Sequence, residues 1–180
     1  MTVLTRWPNR EEREAFEIAG FISAYSRLPG TVQLEVVRKT DKPDYVVRDV
    51  TTGQEYGVEL TSVYLDHRSV PDVHMSDERD PVWLPDDDAQ LEKYRSRLAG
   101  AVLDKICKAR QGYDRSRPLI LGVYVNEYIS IYMPAVEIQA FVNRYDGLFE
   151  AMAPFSQVVF WNLPNDGVVC AKPSAGSGHA

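Results

Sequence analysis

Residues 42–64, KPDYVVRDVTTGQEYGVELTSVY, have the pattern of a strand, a turn and a second strand. Tyr45–Val50 and Gln54–Val63 are rich in β-branched and aromatic residues. Thr51, Thr52 and Gly53 between them form a short polar turn in which glycine supplies a positive φ, so an antiparallel hairpin is expected. Side chains on a strand alternate with a period of two. Glu55, Gly57, Glu59, Thr61 and Val63 therefore share one face, and Tyr56, Val58, Leu60 and Ser62 the other. Pro43 fixes its own φ and pushes Lys42 towards an extended conformation, which sets Asp44 at the mouth of the first strand. Its carboxylate can then converge with that of Glu59.

Two converging carboxylates suit a hard cation. Mg²⁺ is bound through oxygen, usually by one or two carboxylates, with water and substrate phosphate completing the shell. Pro43-Asp44 on one strand and Glu59-Leu60-Thr61 on the next resemble the signature of the PD-(D/E)xK nuclease superfamily, Pro-Asp followed by Asp/Glu-x-Lys. The resemblance implies a restriction-endonuclease-like fold and Mg²⁺ or Mn²⁺ as cofactor. It implies Asp44, Glu59 and the backbone oxygen of Leu60 as metal ligands, and phosphodiester hydrolysis in a nucleic acid, DNA ahead of RNA. Thr61 departs from the pattern, because it stands where the superfamily usually places lysine and cannot carry a positive charge.

On the N-terminal side of the hairpin, Asn9–Arg27 opens with a capping residue, carries Glu11, Glu12 and Glu14 early, and places Ala15, Ile18, Ile22 and Tyr25 along one face. This is an amphipathic helix. Leu28-Pro29-Gly30 ends it, and Thr31–Arg38 alternates as a strand. Glu17 lies at the margin of the apolar stripe. It either faces water, where the helix dipole favours it, or, as the resemblance implies, joins the metal site.

On the C-terminal side, residues 66–88 hold Pro71, Pro81, Pro85 and eight acidic residues against two arginines, the composition of a solvated, irregular loop. His67 and His74 within it have no helix to fix their spacing. Asp88 caps a helix over Ala89–Gln111, whose core face carries Leu91, Tyr94, Leu98, Val102, Ile106 and Ala109. Lys105 falls about 40° from the centre of that apolar arc. An ammonium there either snorkels to water or pairs with carboxylates, and Asp44 and Glu59 are the available partners. In the resembled superfamily a lysine from this helix sometimes replaces the strand lysine. Lys105 is thus the candidate for stabilising charge on a phosphate, and Lys108 is the next choice. Gln90 and Tyr94, four apart on one face, resemble the Gln-hydrophobic-x-x-Tyr element of RecB-like members. The eight basic residues from Lys93 to Arg117 form either a solvated face or a local patch for a phosphate backbone.

Leu119–Val125, LILGVYV, is the nearly continuous apolar run expected of a strand buried on both faces. A helix over Pro134–Met152 and a strand over Gln157–Leu163 complete the order α-β-β-β-α-β-α-β. Its first six elements match the αβββαβ core of the superfamily over residues 9–125. The expectation is an α/β fold with a mixed sheet flanked by helices and a C-terminal αβ extension. It forms one domain over residues 1–170, with a small, polar, disordered tail over 171–180.

A chain of 180 residues with 44% hydrophobic content can bury one sizeable core. Its net charge of −6 gives no overall attraction to nucleic acid, so such binding would depend on a local patch. Cys107 and Cys170 are far apart and lack metal-site spacing, which fits a reducing cytoplasm. No apolar run approaches the ~20 residues that span a bilayer, so no membrane partner is expected. The oligomeric state is open, a homodimer included. No phosphate-binding glycine loop, dinucleotide fingerprint or H-E-x-x-H helix is present. The alternative to a nuclease is a non-catalytic nucleic-acid- or protein-binding module on the same fold.

Overall fold

A computed structural model of the protein describes residues 10–63, 88–125, 133–162 and 168–173. The hairpin comprises β2 (Tyr45–Asp49) and β3 (Glu55–Val63), antiparallel, with Tyr45 opposite Val58 and Arg48 opposite Glu55. Gly53 makes the turn with φ at 74°. Asp49 braces it, accepting the Thr51 N–H at 2.8 Å and the Thr52 hydroxyl. These bonds hold Asp49 below the ordinary carboxyl range, the Thr52 hydroxyl contributing most.

β1 (Leu34–Lys39) lies antiparallel against β2. On the other side of the hairpin β4 (Leu119–Val125) runs parallel to β3, and β5 (Phe155–Trp161) parallel to β4. β6 (Val169–Ala171) closes the far edge antiparallel to β5, giving a six-stranded mixed sheet in the order β1-β2-β3-β4-β5-β6. Parallel neighbours need crossovers. α2 (Asp88–Gly112) joins β3 to β4, while α3 (Ala135–Arg144) and α4 (Asp146–Glu150) join β4 to β5.

The period-two alternation sorts the core into two layers. On one face α1 (Arg10–Tyr25) lays Ile18, Phe21, Ala24 and Tyr25 over Val58, Leu60, Ile120 and Trp161. On the other, Tyr94, Leu98, Val102 and Ile106 of α2 pack with Phe141 and Phe149 on Leu121, Val123 and Phe160. Every residue of β4 is buried, as its unbroken apolar run demands. Bare backbone brings α1 close to the sheet: a Cβ on Gly20 would lie 2.6 Å from the Trp161 ring, and one on Gly122 2.7 Å from Phe21.

Three expectations change. The helix over Pro134–Met152 is two helices, broken at Tyr145, whose φ of −107° and ψ of 33° leave the α region. The break lets Phe141 and Phe149 both meet Phe160 edge-on, with ring centroids 5.8 and 5.9 Å away. The last expected strand begins earlier, at Phe155, and is followed by β6. Ala171, assigned to the disordered tail, is a buried residue of β6 opposite Val158, so the folded unit extends past residue 170. His67, His74 and Leu163 lie outside the described residues. Among the described residues no helix is long and apolar enough to cross a membrane.

Candidate functional site

β2 begins at Tyr45, opposite Val58, while β3 runs on to Val63. From Glu59 onward the β2 side of β3 is therefore a notch. The Gly57 N–H bonds the Pro118 carbonyl on the β4 side at 2.9 Å. With a period of two, the peptide groups of Glu59 also face β4, and those of Val58 and Leu60 face the other way. The Leu60 N–H thus opens into the notch, where Asp44 Oδ2 accepts it at 2.8 Å. An extended residue sends its N–H and C=O to the same side, so the Leu60 carbonyl also faces the notch. Asp44, one residue before β2, thus reaches β3 just past the last paired residue, Val58. Pro43 can approach because residue 57 is glycine: a Cβ there would lie 2.7 Å from the Pro43 ring.

Glu59 is only 3% exposed and points to the α2 side. Its Oε1 accepts two hydrogen bonds, from Lys105 Nζ at 2.5 Å and from the Tyr113 hydroxyl at 2.6 Å. Its Oε2 is buried and has no partner among the described residues. Lys105 is mostly buried against this carboxylate, as its phase on α2 requires, rather than extended into water. Tyr113 was not singled out by sequence. It lies one residue beyond α2 and continues the buried stripe of Val102, Ile106 and Ala109 at helical spacing, which is the signal that could have found it. Its ring stands edge-on to Phe155 at 6.3 Å.

Glu17 comes from the α1 side of the sheet, where its Oε1 accepts the Ser62 hydroxyl at 2.9 Å. Among the described residues it has no hydrogen bond to Asp44, Glu59 or Leu60. The Lys105 charge acts on its carboxyl weakly, as the smallest of the influences on it. Burial raises the Glu17 pKa, opposed mainly by the Ser62 bond and by Arg13. Burial also pushes Asp44 up to about 6; the Leu60 N–H opposes this, the charge of Glu59 adds to it, and Lys105 opposes it. Tyr113 is held well above the ordinary phenol range by burial and by its bond to Glu59.

Other candidates have different occupations. Lys108 pairs with Asp104 at 2.6 Å, both exposed, one turn back on α2. Tyr94 donates to the Val63 carbonyl at 2.9 Å, pinning the end of β3. The basic stretch from Lys93 to Arg117 is largely committed within the protein. Arg95 meets Glu92 and Glu137, Arg117 meets Asp114 and Glu55, Arg110 donates to the carbonyls of Ala151 and Ala153, and Arg97 also has a partner.

Asp44, Glu59 and the Leu60 carbonyl supply hard oxygen donors, and the charge of Glu59 is felt at Asp44. Among the described residues no group of three or more His, Cys, Asp or Glu side chains forms an all-protein metal cage. Mg²⁺ does not need one, since it keeps several waters beside one or two carboxylates. The buried, unpartnered Oε2 of Glu59 fits such an ion, because an ionised oxygen without a donor is otherwise costly. Comparison with protein-family models, curated proteins and solved structures finds no match to this chain.

Proposed function

We propose that the protein is a nuclease of restriction-endonuclease-like fold that uses Mg²⁺ or Mn²⁺ to hydrolyse phosphodiester bonds, in DNA ahead of RNA. Asp44, Glu59 and the Leu60 carbonyl would hold the ion and Lys105 is the electrostatic group. The observation that carries this reading is the pairing of Glu59, with one oxygen bound by Lys105 and Tyr113 and the other buried without a donor among the described residues, while Asp44 accepts the N–H of the next residue, Leu60. In the hydrolysis a water oxygen bonds to phosphorus, the bond to one sugar oxygen breaks, and the proton lost by water is returned to that leaving oxygen through solvent. A divalent cation supplies polarisation of the phosphoryl oxygen and acidification of the water. Asp44 and Glu59 orient the ligand oxygens, and Lys105 brings to the site the positive charge that Thr61 lacks, offsetting charge gathered by the phosphate.

A second reading has its own support. Thr61 and the internal pairing of most α2 cations favour a non-catalytic binding module on the same scaffold. Incubation of plasmid, single-stranded DNA and RNA with Mg²⁺, Mn²⁺ or chelator separates the two. The nuclease cuts at least one substrate with metal only, and Asp44→Ala abolishes cutting. Cleavage that persists in both Asp44→Ala and Glu59→Gln contradicts the mechanism, and metal-independent binding without cleavage supports the module.

A further inference from the structure

We infer that Tyr113 is a positioning residue for Glu59, which holds the carboxylate so that Oε2 alone is presented to a hard divalent cation; this rests on the metal site proposed above. A glutamate has three rotatable side-chain bonds, and burial by itself does not choose which oxygen is left without a donor. The choice is made by donors. Lys105 Nζ and the Tyr113 hydroxyl, at 2.5 and 2.6 Å, both bind Oε1, and none among the described residues binds Oε2.

The two donors are not equivalent. Lys105 ends a flexible four-carbon stem and carries three hydrogens, so alone it can slide across the carboxylate and bridge both oxygens. That would occupy the lone pairs a cation needs. The Tyr113 hydroxyl is carried on a rigid ring whose position is set by the edge-on contact with Phe155. It fixes the rotation of the carboxylate and leaves Oε2 to the metal. Partners that orient a ligand in this way typically change metal affinity by about ten- to a hundredfold when removed.

Tyr113→Phe keeps the ring and its contact with Phe155 and removes only the hydroxyl. The probe is Mn²⁺ alone, titrated into the full chain and followed by its paramagnetic resonance signal, with circular dichroism and the thermal midpoint as checks on folding. The expected result is a Kd about ten- to a hundredfold weaker in Tyr113→Phe, with an unchanged dichroism spectrum. On a Glu59→Gln background the same substitution should change Mn²⁺ binding no further, because the group it orients has lost its charge. Wild-type binding with an equal Kd in Tyr113→Phe overturns the positioning role and leaves the metal reading intact. A Tyr113→Phe effect that persists at full size in Glu59→Gln also overturns it, since the hydroxyl then acts elsewhere. A wild-type chain that binds no Mn²⁺ overturns the metal reading and this inference with it.

Discussion

Asp44 and Lys105 answer burial differently, the first by holding its proton and the second by pairing with Glu59. The folded Asp44 holds its proton up to about pH 6, whereas the unfolded carboxyl releases it near the ordinary 3.8. Between those values the folded state binds more protons, so this group makes stability fall as pH rises through the window, with the full penalty above it. Without divalent cation, Asp44→Asn should therefore match wild type near pH 4 and gain in thermal midpoint up to about pH 6, then stay level. A difference that does not vary with pH contradicts the burial of an ionisable Asp44. Lys105→Met keeps the alkyl stem and leaves the Glu59 charge with Tyr113 as its sole donor among the described residues, a loss of about 2–4 kcal/mol in urea unfolding for a largely buried pair. Saturating Mn²⁺ should recover more stability in this variant than in wild type. Equal recovery would mean that Lys105 and the cation do not share Glu59. Both residues were legible in sequence, one from a Pro-Asp beside a strand and the other from its helical phase. The bond from Tyr113 to Glu59 and the bare Oε2 were not, because hydrogen-bond partners more than fifty residues apart leave no local pattern, although the helical spacing of Tyr113 marked it as buried.

The elements follow the same division. The hairpin and β4 were readable because a period of two and an unbroken apolar run have few other uses, and Gly53 marked the turn through the positive φ it adopts. The helix after β4 was read as one because its apolar stripe runs through Ile138, Phe141, Leu148, Phe149 and Met152 without interruption. The break at Tyr145 answers to the packing of Phe141 and Phe149 on Phe160, a tertiary demand. β6 was missed because three residues carry too little periodicity, and its order comes from pairing with β5. At Gly57 the hairpin and the site meet. Gly57→Ala would place a methyl group against the Pro43 ring and a Leu119 methyl. Leu119 can rotate but the ring cannot, so the segment between β1 and β2 must shift and carry Asp44 with it. The expected cost is about 1–3 kcal/mol, measured by chemical unfolding, with weaker Mn²⁺ binding. Unchanged stability and binding would show that Pro43 yields freely and does not position Asp44.

At the scale of the whole molecule, a net charge of −6 and internally paired α2 cations leave little long-range attraction for a polyanion. Recognition of nucleic acid would then lean on the cation in the notch, and affinity for DNA should rise with Mn²⁺ more steeply than it falls with added NaCl. Flat dependence on Mn²⁺ would return the weight to surface charge and to a binding module. The layered α/β architecture was legible because each helix has one apolar stripe and each strand one pattern. The placement of Glu17 on the far side of the sheet was less so, since helical phase fixes which residues share a face but not which side of the sheet the helix covers. The most direct measurement is the nicking of supercoiled plasmid at saturating Mn²⁺ by wild type and Glu59→Gln, with folding matched by circular dichroism. The expected result is metal-dependent nicking by wild type and a loss of about a hundred- to a thousandfold in Glu59→Gln. Equal rates in the two proteins would contradict a catalytic cation at Glu59.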